Sequence, residues 1–170
     1  EPFFIYLATN LPHLPLQVDE KYVKPYRKYG VNEINAKTYG MIANIDENVG
    51  YVMKRLKELD LEDDTIVIFL SDNGPRTSRQ KNDLYPDRYN AGLRGTKSSM
   101  YEGGIRVPFL IRWPNKIKAG AKLPEIAAHI DLLPTLLDAC GASVSDEDRV
   151  IDGQSLIPLL TNPKINWPDR

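Results

Sequence analysis

The sequence predicts an α/β fold. Two short apolar runs rich in β-branched and aromatic residues, Pro2 to Ala8 and Thr65 to Leu70, have the character of strands buried on both faces of a sheet. Between them, from Asn35 to about Leu59, Tyr39, Ile42, Ile45, Val49, Val52, Met53, Leu56 and Leu59 recur at three- and four-residue steps. That spacing puts them on one face of an amphipathic helix. Strand, helix, strand in this order implies a right-handed βαβ crossover.

After the first run, Thr9 to Pro15 is a polar loop in which Pro12 and Pro15 preclude regular helix or central strand, and His13 sits within it. The long helix ends in the acidic turn Asp60 to Asp64. The stretch Pro75 to Arg94, rich in Arg, Asp, Asn and Tyr, is too long and aperiodic for an ordinary connection. A third strand is predicted over Val107 to Arg112, with Pro108 tolerable near its start, and Trp113-Pro114-Asn115 breaks it. Asp131 is placed to N-cap a helix running through Cys140, with Leu133, Leu136, Leu137 and Cys140 on its buried face and Gly141 as its stop. Another short helix is predicted over Ser155 to Leu160. No internal repeat or linker interrupts the chain, which reads as a single α/β unit.

The 170 residues are 42% hydrophobic and 26% charged, the balance of a globular domain. With 22 basic and 23 acidic residues intermixed, no electrostatic footprint for nucleic acid or an anionic membrane is present, and a small partner is expected. One cysteine, Cys140, excludes an internal disulfide framework and a cysteine-based zinc site. No apolar run approaches the ~20 residues that span a bilayer. The sequence opens directly on a predicted central strand without an initiator Met, and so reads as a piece of a longer protein.

Three segments could carry chemistry. Ser71-Asp72-Asn73-Gly74 follows directly on a predicted buried strand, at the carboxyl end where ligands collect in open α/β sheets, and Asp72 and Asn73 offer hard oxygen ligands for calcium or magnesium. The same four residues also make a plain strand-ending turn, since Asn-Gly is a strong turn dipeptide. His13 holds the equivalent place after the first run, where an imidazole could donate to an anion or exchange a proton with it; it also fits a surface loop histidine. In Leu93-Arg94-Gly95-Thr96-Lys97 the glycine permits close backbone approach and Lys97 supplies a cation. This is not a phosphate-binding P-loop, because Thr96 rather than glycine precedes the lysine.

Taken together, Asn10-Leu11-Pro12-His13, Ser71-Asp72-Asn73-Gly74, and Leu93 to Lys97 followed by Tyr101-Glu102-Gly103-Gly104-Ile105-Arg106-Val107-Pro108 resemble the type I sulfatases of the alkaline-phosphatase superfamily in identity, order and approximate spacing. Trp113-Pro114 and His129 to Thr135 continue the match. The resemblance implies an alkaline-phosphatase-like mixed sheet flanked by helices, present as the C-terminal part of a catalytic domain over residues 1–170. It implies hydrolysis of small-molecule or carbohydrate sulfate esters with a formylglycine nucleophile. Asp72 and Asn73 would bind calcium, with Asn73 also near the sulfate; His13 would contact the sulfate and assist the leaving group; Lys97 would hold a sulfate oxygen.

The departures are as informative. The Cys/Ser-x-Pro-x-Arg motif that yields formylglycine is absent, so the fragment is expected to be inactive without the remainder of its own catalytic domain. Thr96 and Ser98 stand where glycines are common around the lysine. A phosphodiesterase or phosphonate monoester hydrolase of the same superfamily, or a non-catalytic metal-binding module, would share the Asp-Asn pair. Substrate choice would come from Pro75 to Arg94, where Tyr85, Arg88, Tyr89 and Asn90 suit a polar sugar and equally fit a solvated loop. Family habit implies a periplasmic, secreted or lysosomal location.

Overall fold

A computed structural model of the chain describes residues 1–77, 88–143 and 150–168. The elements in order are α1 (Glu20–Arg27), α2 (Glu33–Glu58), β1 (Val67–Leu70), α3 (Glu102–Ile105), β2 (Phe109–Arg112), a 3-10 turn at His129–Asp131, α4 (Leu132–Ala139) and α5 (Ile157–Thr161). They fall into two compact units, residues 1–62 with 68–111, and residues 63–67 with 112–170. No described helix is long and apolar enough to cross a membrane.

In the first unit, α1 and α2 pack against each other. Asn32 caps α2 by accepting the Asn35 N–H at 2.9 Å, and Asp19 caps α1 by accepting the Lys21 N–H at 2.9 Å. Close approach is set by Gly40, where a Cβ would lie 3.1 Å from the Tyr22 carbonyl. Val23, Ala36 and Met41 are buried, and burying a valine or methionine side chain stabilises by roughly 1.5–3 kcal/mol. Charged groups frame this contact. Glu33 accepts two hydrogen bonds from Arg27, at 2.7 and 2.8 Å, and Arg27 holds its carboxyl below the usual carboxylate range. Glu47 is likewise lowered, chiefly by the Tyr22 hydroxyl that donates to it.

The sequence reading gave no element at α1, whose short, highly charged run contains Pro25. It also credited α2 with a longer buried face than the structure shows. Ile42, Val52 and Leu59 are 47%, 38% and 48% exposed, because only α1 packs extensively against α2 among the described residues. Just past the end of the helix Asp60 adopts φ +58°, while the Leu61 N–H donates to the Leu56 carbonyl at 2.9 Å and that of Asp60 to Lys57 at 3.0 Å. This is a Schellman cap on aspartate.

β1 and β2 are hydrogen-bonded neighbours and form the sheet of the described residues. Their residues 68–70 and 109–111 belong to the first unit. The expected first strand does not form. Residues 2–8 carry no strand, with Phe4 and Tyr6 at 74% and 81% exposed. A strand requires a ladder partner, and the two-stranded sheet provides none for this run. The predicted crossover is therefore reduced here to α2 followed by β1.

The second unit centres on Asp131, which is fully buried. Its carboxylate does not cap α4. Instead Oδ2 accepts the Ala128 N–H at 2.7 Å and Oδ1 accepts the Gln154 N–H at 3.0 Å, joining two distant stretches of chain. Thr135 extends the link: its hydroxyl donates to the Asp131 carbonyl at 2.6 Å and accepts the Leu156 N–H at 2.9 Å. Gly153 fits because a Cβ there would meet the Ile130 carbonyl oxygen at 2.0 Å. Gly141 stops α4 at φ +63° as expected. The Ala142 N–H closes the Schellman motif on the Leu137 carbonyl at 2.8 Å. Cys140, expected in the core, is exposed at the C-cap where the chain turns away.

Because Asp131 satisfies two backbone N–H groups in a buried place, Asp131→Ala should lower unfolding free energy by about 3 kcal/mol. Urea unfolding checks this, and a loss below about 1 kcal/mol would remove Asp131 from its central role.

Candidate active site

The segment after β1 is a tight polar turn. The Ser71 hydroxyl donates to the Asn73 carbonyl at 3.1 Å, and Asn73 Nδ2 donates to the Gly74 carbonyl at 3.0 Å. With its NH2 group directed to the backbone, Asn73 keeps Oδ1 as an acceptor or cation ligand. The Asp72 side chain beside it is exposed.

Gly74 is buried and joins this turn to the glycine-rich segment. Its N–H donates to the Gly104 carbonyl at 2.9 Å, and the Lys97 N–H donates to the Pro75 carbonyl at 3.0 Å. A Cβ on Gly74 would stand 1.9 Å from the Gly103 carbonyl oxygen, so the two backbones touch where no other residue fits. The glycine-rich segment is itself folded backbone on backbone. The Gly103 N–H donates to the Arg94 carbonyl at 2.7 Å, and a Cβ on Gly103 would meet the Gly95 carbonyl oxygen at 2.1 Å. Asn90 Nδ2 donates to Gly95 and Leu93 carbonyls at 2.7 and 3.3 Å. Asn90, one of the sugar-binding candidates, uses its NH2 group to support the turn before Lys97. The Thr96 N–H donates to Ser99 Oγ at 3.0 Å. Ser98 takes φ +70°, the left-handed region that glycine enters most cheaply.

This scaffold carries Asp72, Asn73 and Lys97 on directly bonded stretches of main chain, with the Lys97 side chain partly buried. His13 is placed separately. It is exposed in the 9–15 loop, where its N–H donates to the Asn10 carbonyl at 2.9 Å and its Nδ1 lies 3.1 Å from the Leu14 carbonyl oxygen. A hydrogen bond there requires the proton on Nδ1, since a carbonyl oxygen only accepts. Among the described residues no hydrogen bond links His13 to the other three.

Two oxygen donors of the right kind, at Asp72 and Asn73, suit calcium, which takes six to eight oxygens. Among the described residues no group of three His, Cys, Asp or Glu could hold a metal ion. Tyr85, another sugar-binding candidate, lies outside the described residues.

The profile of the Sulfatase family matches residues 1–142. Human steryl-sulfatase is 39% identical over 121 residues, covering 70% of this chain and 20% of that protein. The crystal structure of Ps i-CgsB in complex with k-i-k-neocarrahexaose superposes with a TM-score of 0.81 at 34% identity, covering 93% of this chain and 33% of that one. A structure of BT4656 in complex with its substrate D-glucosamine-2-N,6-O-disulfate gives a TM-score of 0.60 at 30% identity over 84% of this chain and 28% of that one. The chain thus spans a fifth to a third of the length of these proteins.

The touching glycines make a sharp prediction. Gly103→Ala should destabilise by about 3 kcal/mol, an overpacking cost at the upper end of the usual range because the obstruction is main chain. Ser98→Gly should be neutral or stabilising by up to about 1 kcal/mol. Thermal unfolding of both variants checks the pair; a harmless Gly103→Ala would contradict the close backbone packing.

Proposed function

The chain belongs to the sulfatase family, and on that footing we propose that it is part of a longer sulfuric ester hydrolase, in which residues 71–74 and 95–104 build one side of the sulfate site. The observation that carries this reading is the main-chain bonding of Gly74 to Gly104 and of Pro75 to Lys97, at 2.9 and 3.0 Å. It ties the main chain that bears two oxygen donors to the main chain that bears one ammonium group, which supports a site holding a cation and an oxyanion side by side.

In this reading the Lys97 ammonium holds a sulfate oxygen and opposes the charge that grows on it. Two unit charges about 4 Å apart at an effective dielectric near ~20 interact by roughly 4 kcal/mol. The Asp72 carboxylate and Asn73 Oδ1 are two ligands of a calcium site completed from elsewhere in the protein. Calcium, when bound, supplies Lewis-acid polarisation of the ester. His13, as the imidazolium protonated on both nitrogens, passes its Nε2 proton to the leaving alcohol. The nucleophile, a formylglycine by family habit, comes from outside residues 1–170, which contain no Cys/Ser-x-Pro-x-Arg motif.

The substrate class we favour is a sulfated carbohydrate. Supporting this are the saccharides bound by the two structural relatives and the balanced charge of the chain, which offers no footprint for nucleic acid or a membrane surface. A periplasmic, secreted or lysosomal setting accords with such a substrate.

In the full-length protein, Lys97→Ala should lower kcat/KM for an aryl sulfate by about 100- to 1,000-fold. Residues 1–170 alone should give no turnover of the same ester. Substantial activity from the isolated piece, or an unimpaired Lys97→Ala enzyme, would refute the assignment.

A further inference from the structure

Next to the glycine-rich segment lies a cleft of about 430 Å³ whose lining includes Arg88, Arg94, Gly95, Thr96 and Tyr101. Its volume falls within the ~300–1,000 Å³ common for small-molecule sites. Among the described lining residues two carry guanidinium groups and none carries a carboxylate. Glu102, the carboxylate next to Tyr101 in sequence, is paired with Arg106 at 3.0 Å.

Arg94 is held as a binding group would be. Its guanidinium carbon is 3.6 Å from the centroid of the Tyr101 ring, and Nη2 donates to the Tyr101 hydroxyl at 2.6 Å. The carbonyl of the same residue accepts the Gly103 N–H at 2.7 Å, fixing its main chain as well. A planar fork stacked on an aromatic ring is pre-organised for bidentate contact with an oxyanion, so less side-chain entropy is lost on binding. Arg88 is oriented too, with Nε donating to the buried Asn35 Oδ1 at 2.9 Å. Lys97 follows Arg94 by three residues, so their Cα atoms are at most about 11 Å apart. Gly95 and Thr96, between them, both line the cleft. Lys97 itself does not line the cleft, but its main chain is within the reach of a saccharide seated there.

We propose that this cleft is a second anion subsite, which takes a second sulfate group of a multiply sulfated saccharide while Lys97 holds the sulfate to be hydrolysed. The role of Lys97 rests on the sulfatase reading above; the binding preference of the cleft does not. Arg94 and Tyr101 form its anchoring pair, and Arg88 lines it as a second cation.

The test is calorimetric titration of the full-length protein with N-acetylglucosamine 6-sulfate and with glucosamine-2-N,6-O-disulfate. The disulfate is expected to bind at least tenfold more tightly. Arg94→Gln should erase most of that difference while changing affinity for the monosulfate by about twofold or less, consistent with loss of one charge-assisted contact. If Arg94→Gln lowers the thermal midpoint, Arg94→Lys decides: it keeps the charge without the fork and should retain only about a threefold preference. Equal affinity for the two saccharides, no binding of either, or a preference that survives the Arg94 substitution would overturn the proposal. Hydrolysis of 4-nitrophenyl sulfate by the wild-type protein tests the sulfatase reading separately. Its absence would sink that reading while the binding ratio still decides the cleft.

Discussion

The contact of Gly74 with Gly103 and Gly104 is the constraint on which the site depends. Main chain meets main chain with no room for a β-carbon, and the Gly74 N–H is satisfied by Gly104 at 2.9 Å. Asp72 and Asn73 stand immediately before that contact, and Lys97 is fixed one residue beyond it by the Pro75 carbonyl at 3.0 Å. A longer separation would leave the lysine and the oxygen donors on independently moving loops. Catalytic groups held on a rigid support need little reorganisation when charge develops, which is where most electrostatic catalysis arises. On the proposed reading, the chemistry and the packing depend on the same few glycines.

Around this centre the supports are graded in kind. Asn90 and Ser99 brace the turn before and after Lys97 through backbone bonds. Further out, α2 supplies the buried Asn35, which orients Arg88, and α2 is itself docked on α1 through Gly40. The second unit uses a different device: one buried carboxylate, Asp131, joins residues far apart in sequence by accepting two main-chain N–H groups.

Much of this was legible in the sequence where the signal is local. The periodicity of α2, the β-rich runs that became β1 and β2, and Gly141 as the stop of α4 each follow from side-chain spacing or a φ only glycine adopts easily. The Asp72-Asn73-Gly74 turn and the Lys97 segment were identifiable, but their bonding to one another was not, because main-chain contacts between distant segments leave no periodic trace. Asp131 was read as a helix cap because local rules reach only the next turn; its carboxylate instead accepts from Ala128, three residues before it, and from Gln154, 23 residues after it. The first apolar run has strand composition but no ladder partner, so composition alone misassigned it. Cys140 was given to the core by its place in a helical pattern, yet the helix ends one residue before it.

The central claim is that Asp72, Asn73 and Lys97 form one site that holds a cation and a sulfate together. The most direct measurement is a crystal structure of the full-length protein with calcium and inorganic sulfate. The account predicts an oxygen of Asp72 and Oδ1 of Asn73 at about 2.3–2.6 Å from the ion, and the Lys97 ammonium at about 2.7–2.9 Å from a sulfate oxygen. Calcium bound away from Asp72 and Asn73, or sulfate bound without Lys97, would contradict it.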